Sequence, residues 1–176
     1  MKVALLLANG FEEVEALTPL DILRRAGVQV DTIGIGSLEI VGTHDIRVIA
    51  DIKSSDAVVS DYDAVIFPGG MPGAKNLDES PFTDEIIAEV LKKDGRLAAI
   101  CAAPMILGHR NLLKGKNATC FPGFEGELYG ANIVNKSVVT DGNITTAYGM
   151  LAALDFAREL TGLLASEAAV TKIFGK

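Results

Sequence analysis

Chemistry in this chain centres on one thiol and the groups that could reach it. The stretch RLAAICAAPMILGH, Arg96 to His109, carries an apolar run into Cys101 and directly on into small residues with helical spacing. A thiol between a strand and a helix N-terminus lies at the positive end of the helix dipole, which favours the thiolate, the reactive form. The tight turn follows the logic of a nucleophile elbow. Ala102 and Ala103 leave the sulfur accessible and let backbone N–H groups approach a bound oxygen, and Pro104 suits a first helical turn. The same turn is equally compatible with a buried cysteine that only fills space.

Two further segments could serve that thiol. Pro68-Gly69-Gly70-Met71-Pro72-Gly73 follows another apolar run. Inward-pointing N–H groups there could form an oxyanion hole with the N–H of Ala102, although glycines also punctuate ordinary turns. The segment lacks a Gly-Lys-Ser/Thr ending and the chain lacks GxGxxG, so no nucleotide cofactor is expected. Glu12, Glu13 and Glu15 open a helical pattern, where acids suit the dipole without any further role. Phe11 and Glu15 are four apart and share a face. With Phe11 in the core, Glu15 would lie desolvated at the sheet's carboxyl edge, with a raised pKa. It could then donate to a thiolate or move a proton.

Other reactive types offer less. His109 lies eight residues past Cys101 on one expected helix, roughly 12 Å along its axis, too far for a Cys–His pair. His44 falls in an expected hairpin. Cys120 is read as core, or as a second thiol able to resolve an oxidised Cys101. Two cysteines and two histidines without CxxC or HxxxH spacing predict no metal site and no disulfide framework.

These residues need a scaffold, and the hydropathy pattern supplies one. Continuous apolar runs at Val3–Ala8, Val28–Ile35, Asp63–Phe67, Leu97–Ile100 and Ile144–Ala147 suit strands buried on both faces. Leu38–Val41 and Ile46–Ile49 read as a hairpin, and Ala118–Cys120 and Ser137–Thr140 as short strands. Helical spacing covers Phe11–Ala26, Phe82–Leu91, Ala102–Leu113, Leu151–Leu160 and Ala165–Phe174. Pro19 predicts a kink or a restart capped by Thr18. The residues after Gly70 read as a polar loop. Strands alternating with helices predict one α/β domain over 1–176 with a mostly parallel sheet between helix layers. Ligands of such sheets bind at the strands' carboxyl ends, which selects 9–15, 68–73 and 101–104.

Composition narrows the partners. A net charge of −7 argues against nucleic acid. The opening MKVALLLANGFEEVEA has a Lys and an apolar run, but the run is short and followed by acids, so a first strand is expected rather than a signal peptide. No stretch approaches a membrane span, and a cytoplasmic location is expected.

Taken in order, GFEEVEA, LTPLDILRRAG, VIFPGGMPGAKNL and AAICAAPMIL resemble the ThiJ/PfpI superfamily, most nearly the branch of the parkinsonism-associated protein deglycase. The resemblance runs from Val3 to about Val170. It implies a flavodoxin-like three-layer sandwich, a homodimer and no cofactor. It places the reactive cysteine at Cys101, its carboxyl partner at Glu15, the oxyanion hole at Gly70 and Ala102, and dimer contacts at Glu12, Asp21 and Arg47. The implied activity is that of a glyoxalase or deglycase acting on methylglyoxal or its early adducts. The alternative is an oxidative-stress sensor or redox-linked chaperone in which Cys101 is oxidised. Two departures bear on this. The branch's pocket histidine, just before a proline, matches Thr119-Cys120-Phe121-Pro122, with Cys120 read as its counterpart, so slow turnover is expected. The late Gly-Pro-Gly-Thr turn becomes Gly149-Met150-Leu151-Ala152, a bulkier and more apolar wall. Peptidase-like members carry His after the nucleophile; Ala102 stands there, which argues against a protease.

Overall fold

A computed structural model of the chain describes residues 1–175. In chain order the elements are β1 (Lys2–Leu7), α1 (Glu13–Arg25), β2 (Gln29–Gly34), β3 (Glu39–Val41), β4 (Arg47–Ile49), β5 (Ile52–Lys53), β6 (Ala64–Phe67), α2 (Gly73–Asp78), α3 (Pro81–Lys92), β7 (Arg96–Ile100), α4 (Pro104–His109), β8 (Asn117–Ala118), β9 (Asn132–Ile133), β10 (Val138–Asp141), β11 (Ile144–Ala147), α5 (Ala153–Leu164) and α6 (Glu167–Phe174).

Seven strands form the main sheet in the order β10-β11-β7-β6-β1-β2-β5. All neighbours run parallel except β10, which pairs antiparallel with β11 at the edge. Alternation at period two divides the side chains of β1 between the faces. Ala4 and Leu6 join Val65, Phe67, Leu97 and Ala99 under the helices α2, α3 and α4. Val3, Leu5 and Leu7 join Ile66, Ala98 and Ile100 under α1 and α5. Both faces are therefore dry, as the continuous apolar runs require. The result is a flavodoxin-like sandwich with helices on both sides of a mostly parallel sheet.

Strand order reverses direction at β1, which is flanked by β2 on one side and β6 on the other. Open α/β sheets bind ligands at the carboxyl ends beside such a switch point. The loops after β1, β6 and β7 leave the sheet there, carrying the acids, the glycines and Cys101.

Four sequence expectations are corrected. Pro19 does not restart the first helix with Thr18 as cap: α1 is a single helix from Glu13 to Arg25 with Pro19 buried in it. Its ring removes one i→i−4 hydrogen bond, which packing against α5 offsets. The polar loop after Gly70 contains α2, a short helix whose buried Ala74 and Leu77 are too few to show a period. The helix after Cys101 spans only Pro104–His109, because Asn111 turns the chain at φ 57 and ends it. The strand expected at Ala118–Cys120 is only β8, paired with β9 outside the main sheet. Among the described residues no helix is long and apolar enough to cross a membrane.

Candidate active site

The loops after β1 and β6 lock together through their backbones. Glu12 N–H donates to Gly69 O at 2.9 Å and Gly73 N–H to Gly10 O at 3.0 Å. Gly70 has φ +86, and a Cβ on it would fall 2.4 Å from Glu12 N. Only glycine allows both the left-handed turn and this approach. A Cβ on Gly69 would fall 2.5 Å from Glu15 Oε2 and 2.6 Å from Cys101 Cβ. The glycine pair is thus the floor against which carboxyl and thiol meet.

Glu15 is completely buried, at 0% exposure. Phe11 is also buried, but it precedes α1 and Glu12 is extended, so the helical spacing expected between Phe11 and Glu15 is absent. Glu15 faces inward with Pro19 and Ile22, four and seven residues on in the same helix. Gly69 N–H donates to Glu15 Oε2 at 3.0 Å. Oε1 makes no hydrogen bond of ordinary geometry, and the Cys101 thiol lies alongside the carboxyl as its remaining polar neighbour. Burial foremost, then the nearby Glu12 charge, raises the Glu15 pKa to about 7. Glu12 itself caps α1, its carboxylate accepting the Glu15 N–H at 2.7 Å. Glu13 turns the other way and is buried against the β3–β4 connection. Burial would raise its pKa, but the ring and backbone N–H of His44 outweigh that and hold it at about 2. Three acids within four residues thus have three environments.

Cys101 follows β7 in the left-handed region, with φ 66. A non-glycine residue there is strained. The conformation is fixed from both sides: Cys101 N–H donates to Ala147 O at 2.9 Å, and Phe121 N–H donates to Cys101 O at 2.9 Å. The backbone N–H groups of Gly70 and Ala102 point at the sulfur. The structure therefore brings Cys101, Glu15, Gly70 and Ala102 to one place.

The electrostatics differ from the sequence expectation. The helix behind Cys101 begins three residues later and has only six residues, so its dipole does not govern the thiol. Beside an ionised Glu15, burial first and the carboxylate second push the Cys101 pKa up to about 12. With Glu15 protonated the repulsion vanishes and its O–H becomes a donor to sulfur. The two groups therefore titrate as one unit. They release a first proton near the raised Glu15 value, and one negative charge remains between them. Sulfur is the better seat for it. The thiol is only half-buried and receives two N–H groups, whereas the carboxyl is wholly buried and receives one.

Cys120 is not beside this pair. It packs under α4 in the cluster on the opposite sheet face from the residues that touch Cys101. Neither thiol perturbs the other; burial, then Glu125, raises Cys120 to about 11. The residue preceding the proline, Phe121, takes the pocket position instead. A Cβ on Gly149 would lie 3.1 Å from the Phe121 ring and 3.9 Å from Cys101 Sγ. Counting back from Pro122, rather than matching reactive side chains, would have found it.

The residues expected at a dimer contact lie on the surface around α1 and β4. Asp21 accepts from Arg25 Nε at 2.6 Å, and Arg47 donates to Glu39 at 2.7 Å. The histidines have partners that spacing did not reveal. His44 Nδ1 lies 2.9 Å from Glu13 Oε2. His109 Nδ1 and Nε2 lie 2.7 Å from Asp78 and 2.9 Å from Glu127. Glu12, Glu13 and His44 cluster closely enough to suggest a cation site, but Thr43 and His44 already use both Glu13 oxygens.

A family model described as the DJ-1/PfpI family matches residues 1–162. Protein dj-1beta of Drosophila melanogaster is 32% identical over 171 residues, 96% of this chain and 91% of that protein. Its crystal structure superposes with a TM-score of 0.91 at 32% identity, covering 97% of this chain and 94% of the other. The Parkinson disease protein 7 homolog of Danio rerio is 34% identical over 161 residues, 89% of this chain and 85% of that protein. The structure of oxidized DJ-1 from Toxoplasma gondii gives a TM-score of 0.91 at 30% identity, covering 98% and 95%.

Proposed function

Because this chain belongs to the DJ-1/PfpI family, we propose that it is a cysteine-dependent, cofactor-free glyoxalase or deglycase acting on methylglyoxal or its early adducts. The observation that carries the reading is a half-buried thiol beside a protonatable buried carboxyl, with two backbone N–H groups on the sulfur.

The chemistry follows from proton ownership. Cys101 sulfur bonds to the aldehyde carbon, and the aldehyde oxygen takes the proton held by Glu15, giving a thiohemiacetal. The Gly70 and Ala102 N–H groups stabilise the oxygen while it is charged. Glu15, now a carboxylate, removes the C1 proton to give an enediolate and returns it to C2, while the O1 hydroxyl proton passes to O2. The C2 carbonyl is reduced to an alcohol and C1 is oxidised to a thioester, so no external oxidant or reductant enters. Water then cleaves the thioester, freeing a 2-hydroxy acid and regenerating the Cys101–Glu15 pair. With Phe121 where a histidine would assist, Glu15 carries each transfer alone and turnover is slow.

The direct test is methylglyoxal consumption by wild type, Cys101→Ala and Glu15→Gln. The reading requires both variants to fall at least about a hundredfold. Wild-type rates in Cys101→Ala would end it.

A second reading is favoured by the same N–H pair. Two equivalents of peroxide would convert the thiol to a sulfinate, releasing two waters, and Gly70 and Ala102 could hold the anion. The related Toxoplasma gondii protein is described in an oxidized form. Peptide mass spectrometry after peroxide checks this; an unmodified Cys101 would count against it. Two free thiols suit a reducing, cytoplasmic setting. The exposed Val14 and Ile46, beside Asp21 and Arg47, support a homodimer across α1. Light scattering of wild type and Val14→Asp tests that contact, which predicts a monomer for the variant.

A further inference from the structure

The wall facing Cys101 is aromatic. Phe121 stands over Gly149 beside the sulfur. Its ring meets that of Tyr148 with centroids 6.1 Å apart, tilted by 51°. Both rings retain solvent exposure, 45% for Phe121 and 36% for Tyr148. The chain then continues through Met150 and Leu151, exposed at 46% and 88%. A side chain at position 149 would crowd the Phe121 ring, its Cβ at 3.1 Å, so the bare glycine leaves the ring this place near the thiol.

Charge argues in the same direction. Glu15 is the one charged side chain that acts on the thiol among the described residues. Among the described residues no cation acts on the thiol that could hold a carboxylate or phosphate on the substrate. A flat apolar substituent, by contrast, could stack on the Phe121 face while its aldehyde meets the sulfur. Aromatic contacts of this kind favour offset or tilted stacking.

We propose that Phe121 and Tyr148 form a specificity wall that makes this site prefer 2-oxoaldehydes carrying an aryl or other flat apolar group over methylglyoxal. The inference rests on the reading above that Cys101 attacks an aldehyde. It assigns Phe121 as the residue that selects the substituent.

The test compares kcat/KM for phenylglyoxal and methylglyoxal in wild type, Phe121→Ala and Phe121→Trp. Phe121→Ala should lower the phenylglyoxal-to-methylglyoxal ratio by about two- to tenfold, and Phe121→Trp should preserve it. Because Phe121 is part-exposed, the variants should fold, which circular dichroism checks. A second readout needs no turnover: the rate at which Cys101 is alkylated by N-benzyl-iodoacetamide relative to iodoacetamide, resolved by peptide. That ratio should fall likewise in Phe121→Ala. Ratios unchanged by Phe121→Ala in both readouts would overturn the wall. Absence of Cys101-dependent turnover with either aldehyde would instead overturn the glyoxalase reading, and the alkylation ratio would still decide whether Phe121 selects flat groups.

Discussion

Replacing Glu15 by Leu isolates what the carboxyl does to the thiol. The better seating of the charge on sulfur puts the first midpoint of the wild-type pair no higher than the raised Glu15 value, about 7. Leu removes both the O–H donor and the competing carboxylate. Burial, the largest influence on Cys101, then stands against only the Gly70 and Ala102 N–H groups. The thiol midpoint should rise to at least its ordinary value of 9.0. That is a change of at least about two in pH, or at least about 2.7 kcal/mol. The assay is alkylation of Cys101 across pH 5–11, resolved by peptide, with buried Cys120 as reference. The rate at one pH is a poor readout. At pH 8 the thiolate fraction falls about tenfold, but a more basic thiolate is six- to tenfold more nucleophilic, at roughly 0.4–0.5 log per pKa unit. The midpoint carries the information. Glu15→Gln keeps an N–H donor and should lie between the two. If Glu15→Leu lowers the midpoint or leaves it in place, the charge was seated on the carboxylate and the proton-sharing argument is wrong. The variant strands Gly69 N–H, costing about 1–3 kcal/mol, so urea denaturation should accompany the titration.

Three other predictions concern the scaffold. Gly70→Ala forces a Cβ to 2.4 Å from Glu12 N at φ +86 and should cost about 2–4 kcal/mol of stability; a urea midpoint within error of wild type would refute the interlock. The pKa of His44 is raised by its hydrogen bond to Glu13, so its contribution is present below pH 6.5 and fades as pH rises through the higher folded value; melting curves should show the gap between wild type and His44→Ala closing at high pH. Burial would lower His109, yet hydrogen bonds to Glu127 and Asp78 win and raise it; both ring nitrogens face carboxylate oxygens, which favours the charged ring, and its NMR titration midpoint should lie above 6.5 and fall in Asp78→Asn.

Sequence alone determined the frame of this protein. Apolar runs at Val3–Ala8 and Leu97–Ile100 bury both faces of a strand, and such runs between helical patterns have few other solutions than a parallel sheet. That frame fixes which loops face the carboxyl edge, so Cys101, Glu15 and Gly70 could be named before any coordinates. The inward turn of Glu15 was expected from a helical spacing with Phe11, but Phe11 lies before α1; Glu15 is buried because it shares the inner face of α1 with Pro19 and Ile22. What the tertiary structure decided were contacts between segments distant in sequence. The Glu13–His44 pair joins a helix to a hairpin, and His109 sits between two acids from separate elements. Phe121, not Cys120, faces the thiol because a backbone hydrogen bond from Phe121 to Cys101 sets which side chain of that segment turns inward. The thiol's electrostatics also waited on the fold, since a pKa depends on burial and on neighbours within a few ångströms. Neither is encoded in local periodicity, which is why a helix dipole stood in the sequence reading where the proton of Glu15 belongs.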